Sequence, residues 1–100
     1  MSIIDILSNN NYIICSKPVA KKVGLDAAAL LGELCSEYKY WESHNQLEDG
    51  WFYSTVENVE ENTTLSKYEQ SKAIDKLVEL GWIEKRLKGI PAKRYFKINE

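Results

Sequence analysis

Residues 54–98 read STVENVEENTTLSKYEQSKAIDKLVELGWIEKRLKGIPAKRYFKI, and their order decides the fold. Ser54 carries a hydroxyl that can cap free helix amides, and Glu57 three residues on can reach back, which is capping-box spacing. Val56 and Val59 then share one face. Asn62-Thr63-Thr64 halts this helix, Leu65 supplies an apolar plug for the turn, and Ser66 with Glu69 repeats the cap signature. From residue 67 to 80 the apolar positions Ala73, Ile74, Leu77 and Leu80 keep the three-or-four spacing of a half-buried helix. Lys67, Tyr68, Ser71, Lys72, Asp75 and Lys76 fall largely off that line.

Gly81 stands where a helix C-terminus needs a left-handed residue. Beyond it, residues 82–87 and 92–98 read as two strands around a tip at 88–91 that contains Gly89 and Pro91. Alternation puts Arg94, Phe96 and Ile98 on one face of the second strand and Lys93, Tyr95 and Lys97 on the other. Helix, tight turn, helix and basic hairpin in this order make a winged helix-turn-helix. The expected class is α+β, mostly α, with the C-terminal hairpin as the wing.

Working outward, Trp51-Phe52-Tyr53 has the aromatic density of a small strand edging the wing, and residues 46–50 form a turn before it. Asp26 is placed to cap a long scaffold helix whose stripe Ala27, Leu30, Leu31, Leu34, Cys35, Tyr38 and Trp41 reaches toward His44. Ser16 followed by Pro18 opens a brief helix that Gly24 ends. Tyr12-Ile13-Ile14-Cys15 reads as a short strand or an extended arm. Residues 1–11, closing on three asparagines, are expected to be a mobile segment, and residues 12–100 a single domain.

Composition agrees with this reading but does not generate it. A chain of 100 residues with 44% hydrophobic content suits one compact domain. No run of about 18 apolar residues and no basic-then-apolar leader is present, so the expectation is a cytoplasmic protein with no membrane contact. Cys15 and Cys35 lack the spacing of a zinc site and read as reduced core thiols. His44 has no nearby Cys or His, so no metal or other cofactor is expected. Glu57, Glu60 and Glu61 sit on a short helix without a companion nucleophile or a phosphate-cradling glycine loop, which argues against an enzyme.

The net charge of −2 hides a sharp asymmetry. Residues 1–62 hold four lysines against ten acids, a net of −6, whereas residues 63–100 hold nine Lys/Arg against five acids, a net of +4. Phosphate binding follows the local basic surface more than the whole-protein charge. Exposed Lys and Arg ordinarily make only a solvated surface; here the helix-turn-helix frame gives them a common direction. The second helix of the frame would enter the major groove with Ser66, Lys67, Tyr68, Ser71, Lys72 and Lys76, its free N-terminal amides facing a phosphate. Arg86, Lys88, Lys93 and Arg94 of the wing would touch phosphates or the minor groove. Tyr68 either contacts DNA or packs on the wing, and Glu69 and Asp75 either read cytosine or repel the backbone. Trp51, Phe52, Trp82, Tyr95 and Phe96 alternate as buried strand residues do and are assigned to the core, while Tyr38, Tyr40 and Trp41 could form an exposed patch for self-association.

Gly50-Trp51-Phe52-Tyr53-Ser54-Thr55, Leu65-Ser66-Lys67-Tyr68, Ala73-Ile74-Asp75-Lys76-Leu77, Leu80-Gly81-Trp82-Ile83 and Gly89-Ile90-Pro91-Ala92-Lys93-Arg94-Tyr95-Phe96 carry a further resemblance. Together with Val23-Gly24-Leu25-Asp26 and Leu31-Gly32-Glu33-Leu34, they resemble the N-terminal winged-helix domain of DnaD-like replication initiators, or replisome organisers, from phages and plasmids of Gram-positive bacteria. The resemblance implies binding to double-stranded origin DNA and recruitment of primosome or helicase-loader proteins. It also implies a further C-terminal region, so the chain ending at Glu100 is expected to be one domain of a longer protein. Two rivals stay open. One is a transcription regulator, homodimeric through residues 12–15 and the long helix, and the other is a protein-protein adaptor that has lost DNA affinity.

Overall fold

The computed structural model describes residues 2–4 and 11–100, so the expectation of a mobile segment at 1–11 lies largely outside the described residues. Helix α1, Lys17–Val23, opens with the Ser16 hydroxyl accepting from the Val19 amide at 3.5 Å, and Gly24 closes it at φ 92°. Helix α2, Leu25–Ser43, starts at once with Gly24 as its N-cap. Asp26 therefore does not cap; it lies inside the first turn, where its carboxylate faces the positive end of the helix dipole. Leu30 and Leu34 are fully buried, and Leu31, Tyr38 and Trp41 pack beside them. Cys35 is exposed, because it stands one residue past Leu34 and thus about 100° round the helix from the buried line. Tyr40 is exposed while Tyr38 sets its ring edge-on to Phe52 at 6.2 Å, so the expected aromatic patch is split between surface and core. Residues 12–15 form an arm without strand pairing, and it runs so close to α2 that a Cβ at Gly32 would collide with the Ile14 carbonyl.

Strand β1, Trp51–Tyr53, precedes helix α3, Val56–Thr63. The cap of α3 is Thr55, not Ser54: the Asn58 amide donates to Thr55 Oγ1 at 3.0 Å. The reason is strand pairing, since the Ser54 amide still donates to the Arg94 carbonyl at 3.0 Å and Ser54 is buried. Thr55→Ala is therefore expected to lower the unfolding free energy by about 1 kcal/mol in urea. Ser54→Ala, which removes a buried hydroxyl with no hydrogen-bond partner, should cost less. The opposite ranking would return the cap to Ser54.

Thr64 turns the chain at φ 67°, Leu65 plugs the turn, and helix α4, Lys67–Glu79, begins with a complete capping box. Ser66 Oγ accepts from the Glu69 amide at 3.1 Å and the Ser66 amide donates to the Glu69 carboxylate at 2.9 Å. Ala73, Ile74 and Leu77 are buried on α4, but Leu80 is 44% exposed. The helix stops one residue before it, Gly81 takes φ 76°, and the Trp82 amide bonds back to the Leu77 carbonyl at 3.0 Å, so Ile83 takes the core position instead.

Strands β2, Ile83–Lys88, and β3, Lys93–Ile98, form the hairpin, with Lys88 opposite Lys93, so the tip is 89–92, one residue later than the sequence suggests. The antiparallel sheet has the order β1-β3-β2. Phe52 pairs with Phe96, and both rings are buried against the helices. Trp51 and Tyr95 are not core residues: the alternation that buries Phe52 and Phe96 turns them to the other face, where both are half-buried. Trp82 is half-buried against the edge of the core. The whole is a winged helix-turn-helix of mixed α+β class, with α3, the turn and α4 as the helix-turn-helix and β2–β3 as the wing.

Candidate nucleic-acid interface

The capped end of α4 presents Lys67, Tyr68, Ser71 and Lys72 to solvent, while Ser66 is half-buried in its cap. Tyr68 is 70% exposed and does not pack on the wing; the Lys72 ammonium stands 5.3 Å from its ring centroid. Glu69 is committed to the cap, and its hydrogen bonds to Ser66 hold its carboxyl below the usual range. It is thus a part of the fold that holds the helix end, not a group aimed outward. Across the turn, Lys88 and Lys93 face each other at the exposed wing tip.

Three of the other basic residues are engaged within the fold. Lys76 Nζ donates to the Val23 carbonyl at 2.8 Å, at the C-terminal end of α1, where the helix dipole favours a cation. The Arg86 guanidinium lies over the Trp51 ring at 4.3 Å, on the sheet face turned away from the helices. Arg94 shares the face of Phe96 and points inward: its Nε donates to the Ser54 carbonyl and its Nη1 to Gln70 Oε1, both at 3.1 Å.

Gln70 was not legible as a functional residue from its type, yet it is fully buried. Its amide nitrogen donates to the Val56 carbonyl at 3.0 Å and the Leu65 carbonyl at 2.9 Å. Arg94 and Gln70 therefore tie the wing, the start of α3, the turn and the reading helix into one unit, fixing how α4 and the wing tip face outward together. The signal for Gln70 was a lone amide on the same helical face as Ala73, Ile74 and Leu77.

Behind this pin lies an acidic groove of about 570 Å³ that includes Glu33, Glu37, Asn58 and Asn62. Burial pushes the Glu37 carboxyl up to about 8, the Glu33 carboxylate beside it adds to the rise, and the Arg94 guanidinium pulls the other way. The folded state then holds a proton that the unfolded chain, with its ordinary value of 4.5, has lost. Stability is expected to fall as pH rises from about 4.5 to 8, at no more than about 1.4 kcal/mol per pH unit, with solvent screening of this part-exposed group keeping it lower. Urea midpoints across that range measure the slope, and Glu37→Gln should flatten it. A wild-type midpoint that rises with pH would contradict this.

Among the described residues, no group of three or more His, Cys, Asp or Glu could hold a metal ion, and no helix is long and apolar enough to cross a membrane. No family model matches the chain, and no curated protein matches it. A solved structure described as the N-terminal domain of a DNA binding protein is similar to it, with a TM-score of 0.67 at 14% identity, covering 100% of this chain and 82% of that one. At that identity the likeness establishes the shared fold.

Proposed function

We propose that this domain binds double-stranded DNA in a sequence-directed way at a phage or plasmid replication origin, and that it helps to recruit primosome or helicase-loader proteins there. The observation that carries the reading is the joint presentation, on one rigid frame, of the exposed Lys67-Tyr68-Ser71-Lys72 end of α4 and the Lys88–Lys93 wing tip. A similar fold in the N-terminal domain of a DNA binding protein supports DNA as the target. The resemblance of the quoted motifs to replisome organisers supports the replication setting.

In this mechanism α4 enters the major groove from its N-terminal end. Lys67 and Lys72 meet phosphates or guanine edges, and the Ser71 hydroxyl is short enough for base or backbone. Lys88 and Lys93 grip the backbone beside the groove. Lys76 and Arg94 keep the frame together and make no DNA contact, and the domain acts as a binder without a catalytic step or a cofactor.

Footprinting over the replicon that encodes the protein tests the setting. Protection of a repeat array at the origin is the expected result. Protection of a promoter palindrome instead would make the protein a transcription regulator. Absence of any protection, with partner binding unchanged by loss of the wing charges, would make it an adaptor.

A further inference from the structure

The strand register sets a grid of side chains on the sheet face turned away from α4. Trp51, Lys97 and Glu84 form one row across β1, β3 and β2; Tyr53, Tyr95 and Arg86 form the next; Lys93 and Lys88 close it at the tip. The opposite faces of the same strands bury Phe52 and Phe96, so the three aromatic side chains of this grid face outward. They are only half-buried, and Tyr53 and Tyr95 meet at 5.7 Å between ring centroids. Cations already lie on two of the rings: Arg86 over Trp51 at 4.3 Å and Lys93 over Tyr53 at 5.6 Å. Four cations stand against one acid, a net of +3 on this face, within a chain whose overall charge is −2. Between the strands and the loop at 45–48 runs a groove of about 400 Å³ that includes Trp51, Tyr53 and Tyr95, with Glu48 on its loop side.

From this arrangement we infer that the outer sheet face is a second nucleic-acid site, which takes single-stranded polynucleotide. Rings flanked by cations offer unpaired bases a stacking surface and their phosphates a track. A duplex cannot use the rings, because its bases are already stacked and paired. The charge sign excludes a basic partner, and the lysines Lys88, Lys93 and Lys97 distinguish this face from the centre of a protein interface, where lysine is depleted. The inference goes beyond the duplex reading; the two share Lys88 and Lys93 at the tip, but the rings Trp51, Tyr53 and Tyr95 lie on the sheet face turned away from α4 and belong to this site alone.

The test uses the whole chain, with labelled oligo(dT) and oligo(rU) of about 15 nucleotides and an unrelated duplex as probes. Trp51→Ala/Tyr95→Ala is expected to weaken oligo(dT) binding by at least about 10-fold while changing duplex affinity less than about twofold. Lys67→Ala/Lys72→Ala should do the reverse, so failure here is distinguishable from failure of the duplex reading. Equal loss with oligo(rU) assigns the site to single strands of either sugar; loss with oligo(dT) alone assigns it to DNA. Should the double variant fail to fold by circular dichroism, quenching of tryptophan fluorescence by oligo(dT) decides. Quenching in the wild type that Trp51→Phe abolishes, with affinity retained through the Phe ring, supports stacking at this face. Unchanged oligo(dT) affinity in a folded double variant, quenching that Trp51→Phe leaves intact, or a change only in self-association would overturn the inference.

Discussion

Replacing Lys67, Lys72, Lys88 and Lys93 together by Ala is expected to weaken duplex binding about a thousandfold at roughly 0.1 M salt and to flatten its salt dependence. The effect is electrostatic. Each lysine that neutralises a phosphate releases condensed counterions, so four contacts give a log-log salt slope of about −3.6. The wild-type domain should then lose on the order of a hundredfold in affinity between about 50 and 200 mM salt, and the variant almost none. All four side chains are exposed, so the substitutions remove no buried contact and the fold should stay intact. Anisotropy titrations of a labelled duplex at several salt concentrations measure both quantities. A variant that keeps the steep slope would place the phosphate contacts elsewhere on the molecule.

Arg94→Ala should act differently, through stability. It leaves the Gln70 amide oxygen without its donor and takes a cation away from the partly buried Glu37. Losing one partner of a buried charged hydrogen bond costs about 2–3 kcal/mol, which for a domain of this size is a fall in Tm of roughly 10–20 °C. Arg94→Lys should recover little, because one ammonium cannot reach both the Ser54 carbonyl and Gln70 as the guanidinium fork does. Above about pH 8, where Glu37 is ionised, Arg94→Ala/Glu37→Gln should lose less than the sum of the two single changes, since removing the carboxylate charge relieves the imbalance. Differential scanning calorimetry of the wild type, the three single variants and the double variant reads this directly. An Arg94→Ala domain that melts like the wild type but loses duplex binding would put Arg94 on the DNA.

The contrast between these two sets of cations shows what the sequence makes legible. The helix-turn-helix could be read because its signals are local: a capping box closes within Ser66 and Glu69, and Gly81 marks its own bend. Arg94 is assigned to DNA by its charge although its alternation with Phe96 and Ile98 already puts it on the inward face, and the structure follows the alternation. Lys76 was not readable. Its partner is the Val23 carbonyl, 53 positions away, and only the packing of α1 beside α4 brings them together. The cap of α3 moved by one residue because strand pairing runs on through Ser54, a tertiary contact that propensity cannot anticipate. Trp51 and Tyr95 are assigned to the core together with Phe52 and Phe96, yet each is the chain neighbour of one of those phenylalanines, so the alternation that buries Phe52 and Phe96 turns them to the other face.

Duplex recognition by the α4 end and the wing is tested most directly residue by residue, by NMR amide chemical-shift mapping of the whole chain as a short duplex is added. Perturbations should concentrate at Ser66, Lys67, Tyr68, Ser71 and Lys72 and at Lys88 and Lys93, with the acidic groove around Glu33 and Asn58 unmoved. Perturbations confined to that groove, or spread evenly over the surface, would contradict duplex recognition by the α4 end and the wing.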